Sequence, residues 1–218
     1  MVGKNSVVCI SLFILAGCAY REEPAPRILS GPAVSGPRPV QPRVKAVEPK
    51  PDIPRIGRNI PSDWLPPSEL QRQWTAIVIH HSGTSNGNAA IFDKWHREGN
   101  HWEGVGYDFV IGNGSDSDDG QVEVTFRWRQ QRTGAHCKTP DNWANEKAVG
   151  ICLVGDFNQT APTSQQMGAL SRLVGFLQNR YGISESRIYG HNTTPGAGVT
   201  DCPGKKFPMA RLKSMLQG

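Results

Sequence analysis

The chain has 218 residues, 37% of them hydrophobic, with 24 Lys+Arg against 19 Asp+Glu and a formal net charge of +5. That length holds one domain of ordinary size. Many of the basic residues are scattered through a proline-rich stretch and form no compact stripe, which argues against nucleic acid as a partner. A mildly basic protein is still drawn to anionic cell-wall polymers and lipid surfaces.

Met1 to Cys18 carries Lys4, an apolar stretch from Val7 to Leu15, and then Leu15-Ala16-Gly17-Cys18. The apolar run is too short to span a bilayer and reads as the core of an export signal. Its end resembles a bacterial lipobox, in which the cysteine becomes the lipidated first residue of the mature protein. An ordinary signal with an incidental Cys18 is the alternative. Residues 1–18 are read as a lipoprotein signal with Cys18 as the lipidation site. The lipid then attaches the protein to a membrane of the bacterial cell envelope, on the periplasmic face, with the outer membrane favoured by analogy. Lys4 is the only charged residue of the signal, so its removal leaves a net charge of about +4.

From Ala19 onward prolines are dense, from Pro24 to Pro54, and aromatic residues are few. Such a segment cannot bury enough apolar surface to offset its ordering entropy. Residues 19–63 read as a semi-extended tether, and residues 64–218 as the folded domain.

Within that domain, Ile77 to Ile79 is an apolar strand. Asn88 caps a helix through Arg97, with Ile91 and Trp95 one turn apart and Gly99 as the stop. Tyr107 to Ile111 reads as a strand, and Val122, Val124 and Phe126 alternate as a second strand should. Between them, Asp116, Asp118 and Asp119 resemble a calcium loop, but the spacing is incomplete and the distal Glu is missing. A solvated hairpin turn ending in Asp119-Gly120 is the better reading. Ala148 to Val154 is a near-continuous apolar run, as in a central strand buried on both faces. Thr163 and Gln166 form a capping box for a long helix with Met167, Leu170, Leu173, Val174 and Leu177 on one face. Arg187 to Gly190 is a short strand, and Met209 to Leu216 a closing helix after Pro208. Strands and helices alternate, which predicts an α/β fold with a mixed central sheet flanked by helices.

Three metal-ligating residues lie far apart in this pattern, each at the end of an apolar run. They are His80 in IVIHHS, His191 in IYGHN and Cys202 in TDCPG. Two neutral imidazoles and one thiolate suit zinc, and three protein ligands leave a fourth tetrahedral position for water or substrate. A structural zinc site usually shows four ligands in two close pairs, and no such pair is present. A lone His at a strand end is more often a satisfied polar residue than a ligand. Here both histidines fall where strands give way to loops, the edge of an open α/β sheet at which sites collect.

Of the five cysteines, Cys9 leaves with the signal and Cys18 is lipidated, so Cys137, Cys152 and Cys202 remain. Cys137 and Cys152 could pair in an oxidising envelope, or Cys152 could be a buried strand thiol. Its place within Val149 to Val154 favours the buried thiol.

In order, the blocks IVIHHS, WHREGNHWEGVGYDFVIG, GAHCKTPDNWANEKAVGICLVGDF, YGHN and TDCPGKKFP resemble the zinc-dependent N-acetylmuramoyl-L-alanine amidases. These share a domain with peptidoglycan recognition proteins and with a phage lysozyme of amidase type. The resemblance spans about Trp74 to Leu212. It implies that His80, His191 and Cys202 bind Zn2+ in a surface groove, with His81 the neighbour and not a ligand. The family's catalytic tyrosine matches Tyr107, and the small or basic residue two before the cysteine ligand matches Thr200. His136 and Asn145 match positions lining the substrate groove, and His96 a structural helix histidine. One branch of the family carries a catalytic glutamate where Cys152 stands here, and the arginine-bearing stretch after the second hairpin strand is altered to TFRWRQQR. The implied reaction is hydrolysis of the amide joining N-acetylmuramic acid to the L-alanine of the stem peptide, in peptidoglycan or muropeptides, by a monomeric enzyme. The alternatives are a noncatalytic peptidoglycan-binding module, thiol catalysis by Cys202 with His191, and a structural zinc domain.

Overall fold

The structure, a computed structural model, describes residues 60–217. The expected export signal, Cys18 and most of the proline-rich segment lie outside the described residues. Ile60 already packs against the core, and Trp64, the first residue of the expected domain, is 1% exposed.

Five strands form one mixed sheet: β1 (Ala76–His81), β2 (Phe109–Ile111), β3 (Val122–Val124), β4 (Ala148–Leu153) and β5 (Ile188–Gly190), in the order β3-β2-β4-β1-β5. β4 pairs parallel with both β1 and β2, β5 pairs parallel with β1, and β3 is an antiparallel edge strand on β2. The helices are α1 (Ala89–Asn100), α2 (Phe126–Arg129), α3 (Trp143–Lys147), α4 (Ser164–Tyr181) and α5 (Met209–Leu216). The expected α/β architecture with a mixed, helix-flanked sheet is what the chain adopts.

The pleat divides each strand between two layers. Ile77 and Ile79 of β1 and Val149, Ile151 and Leu153 of β4 join the main core with Met167, Leu170, Leu173, Val174 and Leu177 of α4 and Leu212 of α5. On the opposite face, Val78 and Ala148 pack with Ala144 and Trp143 of α3, while Val110 and Cys152 pack with Phe92 of α1 and Val105. β4 is buried at every position, as its continuous apolar run requires. His80 alternates with Ile79, so its side chain falls on the α1 and α3 side, directly across from Cys152 in the β1–β4 register.

Local signals explain most element ends. Asn88 caps α1 by accepting the Ile91 N–H at 2.8 Å, and Thr163 and Gln166 form the capping box of α4. Two expectations need correction. α1 does not stop at Gly99 but runs to Asn100, because His101 adopts the left-handed conformation (φ 55) and its N–H closes on the His96 carbonyl. The second hairpin strand does not reach Phe126. The Thr125 side chain accepts the Arg127 N–H, turning the chain into α2 after Val124. This local capping bond overrides the alternation of Val122, Val124 and Phe126. The acidic turn closes the hairpin as expected, with Gly120 donating to the Gly112 carbonyl and Gly112 to that of Gln121. Asp119 Oδ1 accepts the Thr163 hydroxyl at the start of α4.

Candidate metal centre

β1 and β5 are parallel neighbours, so their C-terminal ends share one edge of the sheet. His80 is the fifth residue of β1, and His191 follows directly on β5. Cys202 is brought to the same edge by a loop whose Cys202 carbonyl accepts the Asn192 N–H at 2.7 Å. The candidate ligand atoms of His80, His191 and Cys202 lie within 4.8 Å of one another, and among the described residues no other group of His, Cys, Asp or Glu is gathered this way. His80 Nδ1 is 3.6 Å from Cys202 Sγ. A tetrahedral zinc ion holds its nitrogen and sulfur ligands about 3.3–3.8 Å apart, a spacing the His80–Cys202 pair has.

The protonation of the two imidazoles suits a cation. Burial pushes His80 well down, helped by the facing His136 and His191, and burial also lowers His191. Both imidazoles are neutral at pH 7, the state in which they can bind metal. Cys202 is pushed up to about 12 by burial, against the lowering effect of the His81 N–H, which donates to its sulfur at 3.4 Å. His80 is 1% exposed, whereas His191 and Cys202 are half-buried, so the centre opens to solvent on their side. His81 turns away: its Nδ1 accepts the Phe157 N–H and lies 3.9 Å from an Asp156 carboxylate oxygen.

Tyr107 packs its ring 5.2 Å from that of His80. Burial pushes its phenol well above the ordinary value, so the hydroxyl stays protonated. Thr200 sits two residues before Cys202, and its hydroxyl oxygen accepts the Cys202 N–H at 3.2 Å. His96 accepts the Gly106 N–H at 3.0 Å and lies between Trp102 and Tyr107. His136 and Asn145, matched to the substrate groove, are both buried beside the centre. His136 is 7% exposed with both ring nitrogens engaged, Nδ1 at 3.1 Å from His80 Nε2 and Nε2 at 3.3 Å from the Ala148 carbonyl. Asn145 is also buried, its Oδ1 accepting the N–H groups of His136 and Cys137. Cys137 and Cys152 are free and buried, so no disulfide joins them. No carboxylate occupies the position of Cys152.

Sequence reasoning missed the residues that hold the Tyr107 turn. Arg127 is 3% exposed and donates through Nε to the Val105 carbonyl at 2.6 Å and through Nη1 to that of Thr133. It thereby ties the turn before Tyr107 to the segment leading to His136. Thr125 donates its hydroxyl to the Tyr107 carbonyl at 2.7 Å. A buried arginine serving carbonyls carries no periodic or motif signal. Arg127→Met leaves the Val105 carbonyl buried and unpaired. It is expected to lower unfolding free energy by about 1–3 kcal/mol, read as an earlier urea midpoint.

Asp108 is fully buried next to Tyr107; its Oδ2 accepts the Gly150 N–H at 2.8 Å and its Oδ1 has no partner among the described residues. Burial raises its carboxyl to about 7, although the Gly150 bond, Arg127 and Arg72 pull the other way. The folded pKa therefore exceeds the unfolded one. Stability from this group is fully present below about pH 4 and is lost as pH rises through 7. Asp108→Asn removes that dependence. Between pH 5 and 8 the wild type should lose stability relative to this variant by on the order of 1–3 kcal/mol. Thermal unfolding of both proteins across that range checks it, and parallel curves would exclude the assignment.

This α/β domain gathers two imidazoles and a thiol at one edge of its sheet, a candidate metal site. The family model described as N-acetylmuramoyl-L-alanine amidase matches residues 70–205, which covers every candidate ligand. The chain belongs to this family. It is 33% identical over 146 residues to peptidoglycan-recognition protein SC2 of Drosophila melanogaster, covering 63% of this chain and 72% of the relative. Among solved structures it resembles the N-acetylmuramoyl-L-alanine amidase LysC from Clostridium intestinale (30% identity, TM-score 0.57, 66% of this chain and 86% of that one). It also resembles bumblebee PGRP-SA (25% identity, TM-score 0.52, 66% and 83%).

Proposed function

We propose that the protein is a zinc-dependent amidase that hydrolyses the bond between N-acetylmuramic acid and the L-alanine of the stem peptide in peptidoglycan or muropeptides. The observation that carries this reading is the convergence of His80, His191 and Cys202 beside the Tyr107 ring. When bound, zinc supplies a Lewis acid and lowers the pKa of its water toward neutrality.

The chain's own groups then divide the remaining work. His80 and His191 enter as neutral imidazoles, and the His81 N–H aimed at Cys202 Sγ favours the thiolate over the thiol. Tyr107, protonated, donates its hydroxyl to the oxyanion that develops on the scissile carbonyl. Thr200 accepts from the Cys202 backbone and keeps its own O–H free to orient water or substrate. Cys152 stands across from His80 on β4, so no strand carboxylate is there to act as a base.

Two rivals are weighed against this. A noncatalytic peptidoglycan-binding module has no use for a complete ligand set, and all three ligands are present. Thiol catalysis by Cys202 with His191 would survive removal of the metal, so the response to a chelator separates it from this reading. We further propose that Cys18 carries the lipid and the proline-rich segment from Ala19 up to the folded domain tethers it, so that it reaches peptidoglycan from an envelope membrane.

The test is the initial rate of muropeptide cleavage before chelation, after chelation, and after zinc is restored. Loss and recovery of activity support the metal reading. Cleavage indifferent to chelator contradicts it.

A further inference from the structure

We infer, resting on the zinc reading above, that Trp143 is a positioning residue for the metal centre: its indole clamps the foot of the loop that carries Thr200 and Cys202.

That loop begins and ends at a candidate ligand. His191 follows β5, and the Asn192 N–H donates to the Cys202 carbonyl at 2.7 Å, which ties the two ends of residues 192–202 together. The first half is docked. The Thr193 and Thr194 hydroxyls both donate to the Gly190 carbonyl, at 3.1 and 3.0 Å. Trp143, the first residue of α3, donates through Nε1 to the Pro195 carbonyl at 3.1 Å, across 52 positions of sequence. Gly196 has φ 79, and a Cβ there would stand 2.8 Å from Pro140 Cδ, so the backbone lies flush on the segment leading into α3. Ala197 packs against the same apolar cluster as Trp143 and Tyr189. The Trp143 ring is itself seated, edge-on to that of Tyr189 on β5 at 6.3 Å. An apolar body with an N–H at its tip serves both contacts at once.

At the apex the packing stops. A Cβ on Gly198 would meet nothing within 4 Å, and the Val199 side chain is fully exposed. Only these two residues separate the clamped foot from Thr200, whose hydroxyl accepts the Cys202 N–H. A foot that lifts from α3 therefore takes Thr200 and Cys202 with it, or leaves them to be ordered at the moment metal binds. Holding the foot down beforehand removes that cost from the affinity.

Zinc affinity of the full-length chain is measured by competition with a chromophoric chelator, without substrate, for wild type, Trp143→Phe, Trp143→Ala, Gly196→Ala and Gly198→Ala. Trp143→Phe keeps a ring against Tyr189 and loses one hydrogen bond, so zinc binding should weaken about 3- to 10-fold. Trp143→Ala also strips the apolar seat of the foot and should cost on the order of 10- to 100-fold. Gly196→Ala pushes the foot off Pro140 without touching the indole and should act in the same direction. Gly198→Ala, at the free apex, should stay within about twofold of wild type. In zinc-free protein, amide exchange at Asn192 and Ala197 should be faster in Trp143→Phe while the β4 amides keep wild-type rates, a readout that needs neither metal nor turnover. At saturating zinc, the KM of Trp143→Phe for muropeptide should match that of the wild type. Zinc affinity of Trp143→Ala within about twofold of wild type, or unchanged exchange at Ala197, overturns the inference. So does a raised KM with unchanged zinc affinity, which would make Trp143 a substrate contact. A wild-type chain that binds no zinc overturns the zinc reading whatever the variants do. One that binds zinc but cleaves nothing overturns the amidase reading and leaves this one standing.

Discussion

His191→Ala is expected to abolish stoichiometric zinc binding and to reduce muropeptide hydrolysis to background. Catalytic zinc sites hold their ion with three protein ligands, and this change leaves only His80 and Cys202. His191 is the informative ligand to remove because it is half-buried at the mouth of the centre, whereas His80 is 1% exposed and embedded between β4 and β5. Truncation of His191 opens no core cavity. The thermal midpoint of the zinc-free protein should therefore stay near that of zinc-free wild type, which separates metal loss from misfolding. Zinc content by elemental analysis, alongside initial rates, checks both parts. Full activity with one ligand missing would remove the centre from the mechanism.

Tyr107→Phe is expected to lower kcat about 10²- to 10³-fold, the usual cost of one donor to a developing oxyanion. The substitution keeps the ring and its 5.2 Å packing against His80, so zinc affinity should not change. The surrounding turn is held by groups other than the phenol: Thr125 on the Tyr107 carbonyl, Ala135 N–H on that of Gly106, and Arg127 on that of Val105. What is removed is one hydroxyl and little else. Equal losses in kcat and kcat/KM would mark an interaction made only in the transition state. A rise in KM with unchanged kcat would make Tyr107 a binding residue.

The ligands could be read from the chain because their chemistry is restricted: few side chains bind zinc, and His80 and His191 end recognisable apolar strands. α4 was legible for the same reason, since the Thr163–Gln166 capping box and its apolar stripe point the same way. Elements were misjudged where one local contact outweighed periodicity, at Thr125, which caps α2 and ends β3, and at His101, which prolongs α1 past Gly99. The supporting shell was not legible at all. His136 meets His80 across 56 positions of sequence, and Arg127 reaches Val105 across 22, so neither contact leaves a local pattern. The sequence resemblance places His136 and Asn145 at the groove but carries no sign of the hydrogen bonds they make to the Ala148 carbonyl and to the His136 and Cys137 N–H groups. Residue type announces a ligand; only the folded chain shows what orients it.

Incubation of zinc-loaded full-length protein with a defined muropeptide, followed by mass spectrometry of the products, decides whether the protein is this amidase. The expected products are a free stem peptide with an L-alanine amino terminus and a sugar ending in the lactyl carboxylate. Intact muropeptide recovered from protein that carries one equivalent of zinc, or cleavage at any other bond, would contradict the amidase reading.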